Sequence, residues 1–350
     1  MIWLTWRQFR VNALVVYAAL LAVVAALALT GPHLADVYDQ SASTFLDWIA
    51  TRRLDQSLYV VGTVGGFVVP ALIGAFWGAP MIARELEAGT HRLAWSQTVT
   101  RDRWLATKLG LGLVGASTAG AVLGLATTWW AHPVDKAVGA RTDSDVSSIF
   151  QVARLSPQLF ASRGVAPIGY AALAFVIGVL AGAVIRRTVP AMAVTLAAYV
   201  VIQIVMPNFV RPHLATPVDT STKIAAGSIH GIMGRGPDGP IERIDVGSAH
   251  PGAWVLTNQT VDANGATVHS FGKWVTDCLG PPPGTDKGSQ TDAAQKQACY
   301  DRLASEGYRQ HLSYQPAGSY WALQWRETGV LLAGAALLCG ACFWRVRRLS

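Results

Sequence analysis

Charged side chains are scarce in this chain: Asp, Glu, Lys and Arg together make up 14% of its 350 residues, and six long apolar runs contain none of them. With 51% hydrophobic residues and a positive mean hydropathy, that balance excludes a chain of ordinary soluble domains and points to an integral membrane protein. The signatures of chemistry are missing too. There is no G-x-x-x-x-G-K-S/T phosphate loop, no H-E-x-x-H and no G-x-S-x-G. The eight histidines are scattered without the spacing of metal ligands, and "GIMGRGPDG" at 231–239 precedes no apolar helix, which makes it a loop. The chain itself therefore reads as no enzyme, with no cofactor and no metal of its own.

The apolar runs are 11–30, 58–79, 109–131, 165–185, 188–209 and 328–344. About 20 residues of helix cross the hydrocarbon of a bilayer, so each run is a candidate span. The first is followed by five more and shows no clear small-residue cleavage site, so it is expected as a retained helix. Carboxylates, His and Lys at mid-depth mark ion-coupled carriers. All 21 carboxylates fall outside these runs, and their strongest polar groups are Asn12, Gln203 and Asn208.

Basic residues near span ends set orientation. With the N-terminus inside, the cytoplasmic pieces 1–10, 80–108, 186–187 and 345–350 hold twelve Lys and Arg against Glu85, Glu87 and Asp102. The much longer exterior pieces are close to neutral. Both termini are expected in the cytoplasm, and the overall charge of +7 is an attraction to anionic lipid rather than to nucleic acid.

Residues 31–57, 132–164 and 210–327 then lie outside. The last is rich in Gly, Pro, Ser and Thr, with apolar alternation at "GAWVLTNQTV" and "ATVHSFGKWV" that predicts a β-hairpin. A helix is predicted at "TDAAQKQACYDRLASEGYRQ", capped by Thr291 or Asp292. The expected domains are 1–209, carrying five spans, a 210–327 insertion, and 328–350 with the sixth span. Cys278 and Cys299 both fall in the insertion, where an oxidising exterior favours a disulfide. Cys339 and Cys342 form a C-x-x-C inside the sixth run, and read as packing residues because hydrocarbon disfavours a thiolate. Tyr314, Tyr320, Trp321 and Trp325 suit an aromatic belt where the chain returns to the membrane.

Between the second and third spans lies "ARELEAGTHRLAWSQTVTRDRW". "ARELEAGT" predicts a short helix near 83–92, with Glu85 and Glu87 near its start, both exposed, and Gly89 as its stop. "VTRDRWLATKL" resumes helix into the third span, so the segment is a helical elbow at the membrane surface. At the N-terminus, "MIWLTWRQFR" has Trp3, Trp6, Arg7 and Arg10 suited either to an interfacial helix or to the flank of a span.

These features together resemble the permease subunits of the type-2 ABC transporter (exporter) family, particularly the actinobacterial kind. The match lies in the "MIWLTWRQFR" segment, the "RELEAGTHRLAWSQTVTRDRWLATK" elbow, six spans with both ends inside, and the close turn at "IRRTVP". The resemblance implies an all-α membrane fold of six spans with an interfacial N-terminal helix, a cytoplasmic coupling helix and a small α+β extracytoplasmic insertion. It further implies a second permease copy and a separate ATP-binding subunit that carries ATP and Mg. Arg84, Glu85, Glu87, Gly89, Thr90 and His91 would meet that subunit, while Trp95, Gln97 and Arg101 would position the elbow or extend the contact. An insertion as long as 210–327 departs from the small loops of simpler members and would serve an extracytoplasmic partner or shield an exit. Two other classes stay open. One is a receptor or sensor working through 210–327; the other is a membrane enzyme on lipid substrates, for which "HPVD" at 132–135 is the faint candidate.

Overall fold

A computed structural model describes residues 2–89, 100–140, 152–224, 229–234, 241–246, 250–275 and 293–348. The chain divides into two compact units. The first comprises Met1–Val138, Arg154–Ala215 and Gly318–Ser350; the second comprises Gly139–Ala153 and Thr216–Ala317. The first is helical and, among the described residues, holds six helices long and apolar enough to cross a membrane.

Helix α1 (Ile2–Gln40) is one continuous element, so 2–10 form its first turns rather than the separate interfacial helix expected. No glycine or proline interrupts that stretch, and nothing in it competes with continued helix. After α2 (Phe45–Thr51), α3 (Arg53–Leu72) passes through a π-helical segment, Ile73–Gly78, into α4 (Ala79–Glu87). The elbow helix is thus the end of a 35-residue span, Arg53–Glu87, and Glu85 and Glu87 sit near its C-terminus, not its start. Gly89, at φ +71°, follows it in the left-handed conformation that ends helices. Then come α5 (Arg101–Trp130), whose N-cap Thr100 accepts from the Arg103 amide, α6 (His132–Ala140) and the single turn α7 (Pro157–Phe160). Helices α8 (Ala166–Ile185) and α9 (Thr188–Val205) are separated by Arg186 and Arg187.

Helix α8 is the centre of this unit: 61% of its apolar window is buried, against 17% for that of α1. Glycines let the other helices approach its backbone. A Cβ on Gly74 would lie 2.7 Å from the Ala174 carbonyl oxygen, and one on Gly182 would lie 2.5 Å from that of Ala79. A Cβ on Gly178 would overlap the Gly74 oxygen, and one on Gly112 the Phe175 ring. In lipid, where apolar surface gains little by leaving its surroundings, such close packing is the main attraction between helices. On the second span, a Cβ at Gly62, Gly66, Gly74 or Gly78 would lie within 2.8 Å of an atom from another part of the chain.

In the second unit β1 (Val218–Lys223), β5 (Arg309–Gln315) and β4 (Trp254–Val261) form an antiparallel sheet in the order β1-β5-β4. Strands β2 (Ile229–Gly234) and β3 (Ile241–Val246) pair separately. Along β5, Gln310, Leu312 and Tyr314 are buried while Arg309 is exposed, the alternation of a one-sided sheet. The expected hairpin is reduced to its turn. Its two runs meet only near the turn, where Val261 bridges Thr267, the Val268 amide donates to the Thr260 carbonyl and the Thr267 hydroxyl donates to Gln259 Oε1; β4 takes β5 as its strand partner, and Phe271 and Val275 go into a core with Ile241, Ile244, Tyr300 and Leu303. The predicted helix is present as α10 (Ala293–Ser305), but Gly307 at φ +87° stops it and β5 begins at Arg309. Helix α11 (Tyr320–Arg347) starts eight residues before the sixth apolar run. Tyr314 and Tyr320 are accordingly buried, and Trp321 and Trp325 alone of the four anticipated belt residues are exposed.

Gly178→Ala forces its new methyl into the Gly74 and Ala79 backbone and is expected to cost about 1–3 kcal/mol as overpacking. Gly110→Ala, with nothing within 4 Å of its Cβ, serves as the control. Thermal unfolding of the two variants in detergent checks this; equal midpoints would refute the packing account.

Candidate functional site

Two polar networks lie at opposite ends of the helical unit. At one end, Arg211 follows α9 and Glu327 sits in the second turn of α11, both fully buried. Arg211 Nε and Nη2 donate to the two Glu327 carboxylate oxygens at 2.6 and 2.9 Å, and the Tyr170 hydroxyl donates to Oε1 at 2.7 Å. The guanidinium also lies over the Phe160 ring, 4.1 Å from its centroid. One turn earlier on α11, Gln324 Oε1 accepts from the Val165 and Ala166 amides at 3.0 and 2.8 Å, and its Nε2 donates to the Phe160 carbonyl at 2.9 Å. Gln324 thereby binds amides at the start of α8 that have no partner in their own helix. Beside it, Arg163 pairs with Asp135 at 2.8 Å. Burial pushes the Asp135 carboxyl above its ordinary pKa, and Arg163 and then Arg154 pull against that shift.

At the other end, Lys108 is 4% exposed and its Nζ donates to Glu85 Oε1 at 2.6 Å and to the Met81 carbonyl at 3.3 Å. Glu87 Oε2 accepts from the Thr188 amide at 3.1 Å and its hydroxyl at 2.8 Å. A carboxylate there suits the partial positive charge of the α9 N-terminus, where the N-cap Arg187 makes no side-chain capping bond. Asp102 takes a two-pronged bond from Arg347, Nε at 3.0 Å and Nη2 at 2.9 Å, joining the first turn of α5 to the last of α11. Arg101 Nη1 donates to the Arg347 carbonyl at 3.3 Å.

Buried charge pairs at both ends of a six-helix unit, with apolar middles, describe a membrane body tied at its rims. Residues 17–211 match the model of a family described as ABC-2 membrane transporter related. The chain belongs to that family. No curated protein and no solved structure gives a match. Membership supports a permease role for this multi-pass ABC-2 protein, a transport subunit rather than a catalytic one, and the family implies in general an ATP-binding partner.

The structure of this ABC-2 protein sorts the residues singled out by sequence. Arg84 is exposed, but Glu85 turns inward to Lys108, against the expectation that both carboxylates face solvent; Glu87 is exposed and engaged with Thr188. Thr90, His91, Trp95 and Gln97 lie outside the described residues, as does Cys278. Trp3, Arg7 and Arg10 are exposed on α1, with Arg7 5.4 Å from the Trp3 ring centroid, and of Trp6 only the backbone is described. Cys299 is buried on α10, while Cys339 and Cys342 are free thiols within α11. The Arg211–Glu327 pair escaped sequence reading, because Arg211 follows the fifth apolar run by two residues and Glu327 immediately precedes the sixth. Opposite charges at two neighbouring span ends were the signal for it.

Glu327→Gln leaves the Arg211 guanidinium buried beside a neutral amide, at an expected loss of about 3–5 kcal/mol. The double change Arg211→Met with Glu327→Leu is expected to recover most of it. Thermal melts of the purified variants decide: a double variant as unstable as Glu327→Gln would overturn the ion-pair account.

Proposed function

We propose that this chain is the membrane-spanning permease subunit of an ATP-driven ABC exporter, forming its pathway as a dimer of two copies. The family match over residues 17–211 carries the reading. Its sequence contains no phosphate loop, so ATP and Mg bind on the separate subunit. The twelve basic residues on the elbow side orient that side and both termini to the cytoplasm, where anionic lipid and the ATP-binding subunit are met. The elbow from Arg84 through Gly89, Thr90 and His91 to Arg101 is then the coupling segment. Trp3, Trp6, Arg7 and Arg10 hold the first turns of α1 at the head groups.

Residues 210–327 form the extracytoplasmic insertion between the span region 1–209 and the last span at 328–350. A Cys278–Cys299 bridge supports this turn-rich segment, which presents a surface for an extracytoplasmic protein or shields the exit. The charge-free runs favour an apolar or amphipathic cargo over a small hydrophilic ion.

Affinity purification of the tagged chain in mild detergent, with mass spectrometry and an ATP-hydrolysis assay, is expected to yield a stoichiometric ATP-binding subunit and turnover. Recovery of the chain alone would overturn the exporter reading and move attention to the insertion as a receptor. In intact, non-reduced cells an impermeant maleimide is expected to leave Cys278 unlabelled until reductant is added; ready labelling would refute the bridge.

A further inference from the structure

Helix α4 continues from the π-helical segment Ile73–Gly78, where the regular hydrogen-bond ladder is interrupted, and its first half packs on α8 with Ala79, Ile82 and Ala83 buried before the two carboxylates are reached. Its two carboxylates are two positions apart, about 200° around a helix, and so cannot serve one surface. Glu85 reaches α5 and Glu87 reaches α9. Arg84 takes a third direction and is exposed. A displacement of α4 must therefore either break both contacts or carry both helices with it. Lys108 is too buried to replace Glu85 with water, and the Thr188 amide is among the first of α9 and has no partner within that helix. From α5 the motion has a further path, because Asp102 grips Arg347 at the end of α11.

We propose that Glu85 and Glu87 are positioning residues which divide a push on α4 between the third and fifth spans, with Lys108 and Thr188 as the receiving groups. This rests on the coupling reading above. It differs from that reading in where these carboxylates act: inward, on the chain's own helices, while the exposed Arg84 is left to meet the ATP-binding subunit.

The test uses the full-length chain with the ATP-binding subunit that co-purifies with it, in nanodiscs of neutral and anionic phospholipid. Two quantities are read for each variant: ATP-binding subunit retained per permease, and ATP turnover relative to that subunit alone. Glu85→Lys and Lys108→Glu are each expected to retain the subunit within about twofold, yet to lower permease-dependent turnover at least about tenfold. The swap of the two charges is expected to restore turnover to within about threefold of the unaltered chain. Glu87→Gln, at an exposed position that folding tolerates, is expected to retain the subunit and lose turnover, and Thr188→Val to do the same with no further loss when combined with it.

Loss of the subunit by Glu85→Lys without recovery in the swap would overturn the proposal, since Glu85 would then belong to the docking surface. Undiminished turnover in Glu87→Gln would overturn it independently, even were the Lys108 variant to misfold. Absence of any ATP-binding subunit with the unaltered chain would sink the exporter reading itself, and this inference with it.

Discussion

The backbone-to-backbone approach of α8 to the π-helical segment of the second span is the contact on which the helical unit depends. Gly74 and Gly78 face Gly178 and Gly182 so closely that a methyl group at these positions would meet a carbonyl oxygen or backbone nitrogen. Lipid chains are as apolar as Leu, so burying Leu against Leu gains little in a bilayer, and dense packing of small residues takes over that role. Because α8 is held on that side by backbone, the other helices must fit around it, and α5 does so with Gly112, Gly120 and Gly124 against the same helix.

Charge is confined to the rims of this packed body. Arg211, Glu327 and Tyr170 are bonded together at one end; Glu85 and Lys108 form a pair at the other. A buried ion pair contributes little net stability over an apolar pair of the same shape, but separating it is costly. That asymmetry keeps the ends of the spans matched to specific partners. Gln324 extends the same logic to neutral groups by satisfying amides that the start of α8 leaves open.

The membrane class and the six spans were legible because each depends on composition over a stretch of chain. Long charge-free runs have few alternatives in water or lipid, and Gly89 punctuates the second span as its type predicts. Boundaries were less legible. Glu327 and Arg211 stand at run ends 116 positions apart, and nothing local shows that they pair or that α11 reaches back to Tyr320. The hairpin expected at 252–275 is present only at its turn, where Val261 bridges Thr267; beyond it Phe271 and Val275 pack in a core with Tyr300 and Leu303 of α10 in preference to a strand partner.

The sequence by itself determined that this chain lives in a membrane, which runs cross it, and where its basic residues and breakers fall, since hydropathy and backbone preference are local properties. Which carboxylate meets which cation, which glycine meets which backbone, and whether Glu85 and Glu87 face outward or back into the protein were decided by tertiary structure alone. Those pairings join residues tens to more than two hundred positions apart, and only the packing of α5, α8, α9 and α11 around one another brings them within bonding distance.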